Sequence, residues 1–268
     1  MNTETGEAVI EVKNLHKRLG GQPVHEGIDL EVRRGELMSV IGASGSGKTT
    51  LLQQIIGLLP PDEGEIRVLG QTINQLEAWE ARLLRRRWGV LFQQSALFSA
   101  MTVYDNLAFP VRELRKEGLK VDEDMLREGI ALKLHMVGLA PEDAWKYPYE
   151  LSGGMAKRAA LARALMLEAE LLFLDEPTSA LDPAAASEFD TLVGQLHAEL
   201  HLTALMITHD IYSVAALSNR IAVLADGKLI TVGTLEEVAR FEHPFIADFF
   251  RSRPGEDRLR NVTINEAR

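Results

Sequence analysis

Apolar and polar residues alternate along VIEVKNL at 9 to 15 and along IDLEV at 28 to 32, which predicts two half-buried strands. LMSVIG at 37 to 42 has one polar side chain and predicts a strand buried on both faces that runs into a glycine-rich loop. A short helix starts at Lys48 and ends near Gly57, and PPDEG at 60 to 64 turns the chain into another strand, EIRVLG. From about 74 to 167 the period is helical, with WGVLF at 88 to 92 as the exception, so an inserted helical subdomain is expected over about 95–165. Strand spacing then returns. ELLFLDEP predicts a fully buried strand, DPAAASEFDTLVGQLHAEL a helix with Asp182 as N-cap and Pro183 in its first turn, and TALMITHD a second buried strand. Strand, helix, strand implies parallel pairing. RIAVLADGKLITVG reads as a hairpin on the Asp226-Gly227 turn, and TLEE at 234 to 237 as a capping box opening a late helix.

The fold class is therefore α/β. A mostly parallel sheet flanked by helices is expected, with an N-terminal antiparallel β-subdomain and the inserted α-helical subdomain. Residues 1–240 form the main domain in this reading, and 241–268 a C-terminal helix and tail. With 268 residues, 46% hydrophobic and 25% charged, the chain has the length for one large domain or a domain plus a subdomain. A net charge of -10 and the lack of a long Lys/Arg block argue against nucleic acid as the main partner. The densest basic run, RRR at 85 to 87, reads as a helix end facing water. Cysteine is absent, which excludes disulfides and thiolate metal sites. No apolar run approaches the ~18 residues of a membrane span, and MNTETGEAV does not read as a signal peptide, so the expectation is a soluble, cytosolic chain.

Two stretches carry candidate phosphate chemistry. GASGSGKT at 42 to 49 fits the phosphate-loop pattern G-x-x-x-x-G-K-[ST] and lies between a buried strand and a helix, as that loop requires. Gly42, Gly45 and Gly47 let backbone N–H groups converge on phosphate oxygens, with Ser44, Ser46 and Thr50 in or beside the loop. Lys48 neutralises the outer phosphates and Thr49 offers its hydroxyl to magnesium. LSGGMAKRAALARAL at 151 to 165 sets Ser152, Gly153 and Gly154 at the head of an alanine-rich helix, which makes a second seat for an anion. One nucleotide does not need both seats in one chain. At the end of LLFLDE, Asp175 is placed to hold the magnesium shell and Glu176 to take a proton from water, with an acid pair capping the turn at Pro177 as the lesser alternative. Gln93, after WGVLF, can bridge metal and water, and His209 can contact the outer phosphate; taken alone, each reads more readily as an ordinary surface or turn residue. Asp182 has a complete structural reason as an N-cap.

Taken in order, GASGSGKT, FQQ, LSGGM, LLFLDEP, SALD and THD, spread over roughly residues 9 to 235, resemble the nucleotide-binding subunit of ATP-binding cassette (ABC) transporters. The resemblance implies a P-loop NTPase core that binds ATP and Mg2+. It implies a homodimer paired head to tail, in which Ser152, Gly153 and Gly154 close over the γ-phosphate held by the other chain's Gly42 to Thr49 loop. By matching position, Gln93 is the Q-loop glutamine, Glu176 the catalytic base, His209 the switch histidine and Asp182 the D-loop aspartate. Two positions depart from the family pattern. Met155 stands where Gln is usual, and Leu19 where an aromatic usually stacks on adenine, which forfeits about 1 kcal/mol of stacking.

A narrower likeness rests on ALFSAMTVYDNLAFPVRE at 96 to 113 together with the LSGGMAKRAALARAL stretch, which is similar to ATPases of the Mla type. That likeness implies phospholipid transport between bacterial membranes with a permease and a mammalian-cell-entry (MCE) domain protein, and a place on the cytoplasmic face of the inner membrane. The family's permease docks after Gln93, near residues 93–112, so Leu97, Phe98, Met101 and Val103 read either as a receiving groove or as plain core. In the tail, exposed Phe245, Phe249 and Phe250 would favour an arm that packs on the partner ATPase or on a small STAS-type accessory subunit; a frayed terminus is the alternative. Other functions the sequence admits are another ABC importer, a non-transporting ABC complex such as one of cell division, and a soluble ABC ATPase; a single phosphate loop without a long coiled insertion speaks against the last.

Overall fold

The computed structural model describes residues 6–118 and 120–251. The chain opens with an antiparallel hairpin, β1 (Ala8–Leu19) and β2 (Gln22–Arg33), turned by Gly20 and Gly21 at φ 56° and 81°. It then enters β3 (Leu37–Gly42) and α1 (Lys48–Ile55), and returns to the hairpin with β4 (Glu63–Val68) and β5 (Gln71–Thr72), giving an antiparallel sheet in the order β2-β1-β4-β5. The first helix stops at Ile55, two residues before Gly57, which takes φ 71° as the chain turns out of the helix.

After α2 (Ala78–Arg85) and β6 (Trp88–Leu91) come three helices in succession, α3 (Val103–Lys116), α4 (Glu123–Met136) and α5 (Gly153–Ala164). Then β7 (Leu171–Asp175), α6 (Pro183–Leu200), β8 (Thr203–Ile207), α7 (Ile211–Leu217), β9 (Arg220–Ala225) and β10 (Lys228–Gly233) alternate, followed by α8 (Leu235–Arg240) and α9 (Pro244–Arg251). The second sheet runs β10-β9-β3-β8-β7-β6 and is parallel except for β10, which pairs antiparallel with β9 across the Asp226-Gly227 turn. Thr234 and Glu237 cap α8 reciprocally, as TLEE predicts. Of RRR, Arg85 is exposed at the end of α2, whereas Arg86 pairs with Glu117 and Arg87 with Glu170.

The central parallel strands β3, β7 and β8 are buried throughout because each face meets a different layer. Leu172, Leu174, Ala204 and Met206 face α3 to α6, while the intervening Leu171, Phe173, Leu205 and Ile207 face α1 and the antiparallel sheet. The register sets Gly42 beside Leu224 and Asp175 beside Ile207, so the carboxyl ends of β3, β7 and β8 lie at one rim of the sheet. Ligands of open parallel sheets bind at that rim.

Two expectations change here. Val103 is 0% exposed in the main core, so it belongs to packing and not to a receiving groove. Phe245, Phe249 and Phe250 are half-buried against Ile41, Val214, Ile221, Val223 and Val238, so the aromatic face of α9 covers this chain's own sheet instead of standing free. The polar tail from 252 lies outside the described residues.

Candidate active site

The loop between β3 and α1 is shaped by what cannot fit there. A Cβ on Gly42 would lie 2.3 Å from the Leu224 carbonyl oxygen, and one on Gly47, at φ 98°, would lie 2.7 Å from Nε2 of His25. Gly47 is the residue before α1, whose first turn has neither a side-chain cap nor an acidic residue, so its N–H groups and positive end face the loop unopposed. Nζ of Lys48 donates to the carbonyl oxygens of Gly42 and Ala43 at 2.8 and 2.9 Å, which curls the loop around the ammonium. Burial pulls Lys48 below the ordinary lysine range, and the nearby Glu176 and Asp175 carboxylates oppose that pull. The hydroxyl of Ser46 is buried without a hydrogen-bond partner among the described residues, while Ser44 is exposed, Thr49 is buried against the loop and Thr50 is half-buried.

Asp175, the last residue of β7, faces this loop. Burial pushes its carboxyl above the usual range, the Glu176 carboxylate adds to the push, and a hydrogen bond from Thr49 with the charges of Lys157 and Lys48 holds it back. Its Oδ1 is buried and has no hydrogen-bond partner among the described residues. A shielded carboxylate oxygen beside a threonine hydroxyl fits a hard, oxygen-seeking divalent cation, and among the described residues no group of three or more His, Asp or Glu is gathered to hold a metal without help from phosphates. Glu176 departs from the strand into a left-handed conformation, φ 48°, and its Oε2 lies 2.8 Å from Nδ1 of His209, after β8. The two acids thus have different partners, Asp175 with the phosphate loop and Glu176 with His209.

Gln93 follows β6 with its side chain exposed, and its backbone carbonyl accepts from Lys157, which also donates to the Glu176 carbonyl. Ser152 caps α5, accepting from the Met155 N–H at 3.2 Å, and is otherwise exposed with Gly153 beside it. A cavity of about 300 Å³ is lined by Ser152, Gly153, Gly154 and Met155 on one side and by Ala180, Leu181 and Asp182 on the other. None of residues 42–50 lines it, so within one chain the two phosphate seats do not share a pocket. Asp182 accepts from the N–H groups of Ala184 and Ala185 at 3.0 Å and so caps α6. Leu19, 44% exposed, stands at the tip of the hairpin that leans on the loop through Val24 and His25.

The profile of ABC transporters matches residues 25–179, more than half of the chain. The chain is a member of the ABC transporter family. It is 38% identical over 243 residues to the intermembrane phospholipid transport system ATP-binding protein MlaF of Haemophilus influenzae, covering 91% of this chain and 90% of that protein. It is 37% identical over 244 residues to the probable ribonucleotide transport ATP-binding protein mkl of Mycobacterium leprae, covering 91% and 69%. Among solved structures, a dimeric, post-hydrolysis state of the ATP-binding cassette MJ0796 bound to ADP and Pi superposes with a TM-score of 0.76 at 31% identity, over 84% of this chain and 98% of that one. This ABC subunit is an ATPase, and the antiparallel sheet and helix-flanked parallel sheet are those of ABC cassettes.

Two residues at this ABC site were not singled out by the sequence reading. His25 is 1% exposed, and its Nδ1 and Nε2 lie 2.7 and 3.1 Å from Gln54 Oε1 and the Gly47 carbonyl oxygen. Lys157 is 4% exposed inside α5. The second left a signal: it shares a helix face with Ala160 and Leu161, both fully buried, and a lone charge on such a stripe must be meeting something.

Proposed function

We propose that this ABC ATPase hydrolyses ATP as a head-to-tail homodimer and drives phospholipid movement between bacterial membranes through a permease and an MCE-domain protein. In this reading the loop from Gly42 to Thr50 holds the phosphates of one ATP, and Ser152, Gly153 and Gly154 of the second copy close over them. Asp175, Thr49 and Gln93 would hold Mg2+, which when bound neutralises charge on the outer phosphates. Lys48 exchanges its bonds to Gly42 and Ala43 for phosphate oxygens. Glu176 accepts the proton of the attacking water, His209 holds that carboxylate and reaches the outer phosphate, and Asp182 stands beside the signature seat of its own chain, facing the second copy. The observation that supports the site is the buried Oδ1 of Asp175, without a hydrogen-bond partner among the described residues and next to Thr49, with Lys48 bonded to the loop carbonyls of Gly42 and Ala43.

The permease reading is supported by the surface after Gln93. Fully buried Asn106 accepts from the Phe98 N–H at 2.7 Å and donates to the carbonyl oxygens of Phe98, Met101 and Thr102, which fixes the 98–102 loop. Phe98 is left 43% exposed, its ring packed on Phe109 and under Arg163, and Leu97 is half-buried against the main core. Among the described residues no helix is long and apolar enough to cross a membrane, so attachment at the cytoplasmic face of the inner membrane would come from such a partner.

Phospholipid as cargo rests on the likeness to MlaF over nearly the whole of both chains. The test is reconstitution with the permease that copurifies with this chain, in vesicles carrying a fluorescent phospholipid. ATP-dependent loss of that phospholipid to acceptor vesicles or to an MCE-domain protein is expected. Another cargo that stimulates hydrolysis while phospholipid does not move would place the subunit with a different importer.

A further inference from the structure

Lys157 has no part in the chemistry assigned above, yet its position ties that chemistry together. It lies in the second turn of α5, the helix that Ser152 caps, and its ammonium points back into the protein. Nζ donates to the Gln93 carbonyl oxygen at 2.5 Å and to the Glu176 carbonyl oxygen at 3.2 Å. One charged group therefore joins the segment after β6, the segment after β7 and the signature helix.

The bond to Glu176 acts on a strained residue. Glu176 sits at φ 48°, a conformation a glutamate adopts only when its surroundings impose it. Its N–H donates to Ile207 at 2.8 Å, and its carbonyl accepts from the Ser179 N–H, the Ser179 hydroxyl and Lys157. Of those three donors, two lie in the same turn as Glu176, and Lys157 alone reaches in from another element. Burial lowers the affinity of Lys157 for its proton, and the carboxylates of Asp175 and Glu176 work against that loss. An apolar side chain would fill this space without burying a charge, so packing alone gives no reason for an ammonium here.

We propose that Lys157 is a positioning residue that holds the Glu176 carboxylate and the Gln93 segment in register with the signature helix, so that movement of α5 when Ser152 meets a phosphate is transmitted to the base. The proposal rests on the reading of Glu176 as that base. Because Glu176 is aimed through its backbone, losing the Lys157 bond should shift the carboxylate without emptying the phosphate loop.

The full chain carrying Lys157→Met tests this against Glu176→Gln, using phosphate release for turnover and a fluorescent ATP analogue for binding. The expected result for Lys157→Met is a kcat lower by about 10- to 100-fold, since misplacement of a reacting group by about 1 Å costs that order, with KM and analogue affinity within about threefold of wild type. Lys157→Gln, which keeps an N–H donor, should recover about fivefold or more over the Met variant. In a Glu176→Gln background Lys157→Met should add no further loss. A Glu176→Gln protein that turns over normally would remove the base and the proposal with it. Slow Glu176→Gln turnover alongside Lys157→Met within about twofold of wild type would overturn the tether alone. If Lys157→Met does not fold, Lys157→Ala takes its place: a kcat lower by about threefold or more at unchanged KM and melting temperature supports the tether, and a smaller loss overturns it.

Discussion

Replacing Glu176 with Gln changes the site at one point. The side chain is largely buried, 13% exposed, and its Oε2 lies 2.8 Å from Nδ1 of His209. Glutamine has the same length, and its carbonyl oxygen can take the same hydrogen bond from an imidazole N–H, so the left-handed turn and the phosphate loop have no reason to move. What disappears is the capacity to accept a proton. General-base assistance is worth about 10² to 10⁴ in rate, or about 3 to 5 kcal/mol at ~1.36 kcal/mol per tenfold. The loss should fall on kcat, because the carboxylate acts on the attacking water and not on the ground-state phosphates. Phosphate release under saturating ATP measures it, a fluorescent ATP analogue measures retained binding, and gel filtration with ATP should show the variant accumulating as a dimer. A kcat within about threefold of wild type would refute the assignment and require another base.

Three further outcomes follow from the same geometry. Lys48→Ala removes the ammonium curled into the phosphate loop and should abolish ATP binding and hydrolysis together; wild-type affinity in an equilibrium titration would contradict the loop's role. Phe98→Asp should leave the melting temperature within a few degrees and detach the subunit from its permease in a pull-down, whereas Val103→Asp, at 0% exposure, should lower stability by several kcal/mol in urea titrations, on the order of the cost of burying an unpaired charge. Asp190, buried among Ser213, Thr178 and Asp210, has its carboxyl pushed up to about 6, chiefly by burial. The folded protein therefore holds that proton more tightly than the unfolded chain, and the associated stability is fully present below about pH 4 and lost as pH rises through about 6. The interval from 3.8 to about 6 corresponds to roughly 3 kcal/mol, so Asp190→Asn should gain about that much on wild type between pH 4 and pH 8 in urea midpoints. A pH-independent difference would show that the carboxyl is not shifted.

How far the sequence reaches can be argued from particular residues. The strands of the parallel sheet were legible because both faces are covered, which leaves unbroken apolar runs such as LLFL at 171–174, and the phosphate loop was legible because glycine is forced wherever backbone packs on backbone, as at Gly42 against Leu224. Asp175 and Glu176 could be given separate jobs because neighbouring side chains on a strand diverge, yet the left-handed turn that aims Glu176 at His209 has no signature in the letters. The helix α7 was missed, since its seven residues are too few for a helical period and its cap, Asp210, already had a place in THD. Val103 could not be told from its exposed neighbour Phe98 because both sit at apolar positions of one short stretch, and which one turns inward is settled by the buried bonds of Asn106. Lys157 shows the same limit from the other side: its helix face was readable, its two carbonyl partners, in segments far apart in sequence, were not.

The central claim is that the two phosphate seats serve one nucleotide only across a dimer, and mixing two damaged chains tests it most directly. Ser152→Arg spoils the seat a chain lends to its partner and leaves its own phosphate loop intact, while Lys48→Ala spoils the loop and leaves the seat. Each homodimer then has every site damaged, but the heterodimer has one site with both lesions and one with neither. The account predicts that each variant alone is nearly inactive and that the mixture regains ATP-dependent closure at one site, with hydrolysis returning at most in part because paired sites work together. Heterodimers that demonstrably form yet close on no nucleotide, with ATP crosslinking to Ser152 of the same chain whose Lys48 binds it, would contradict the account and place both seats in a single subunit.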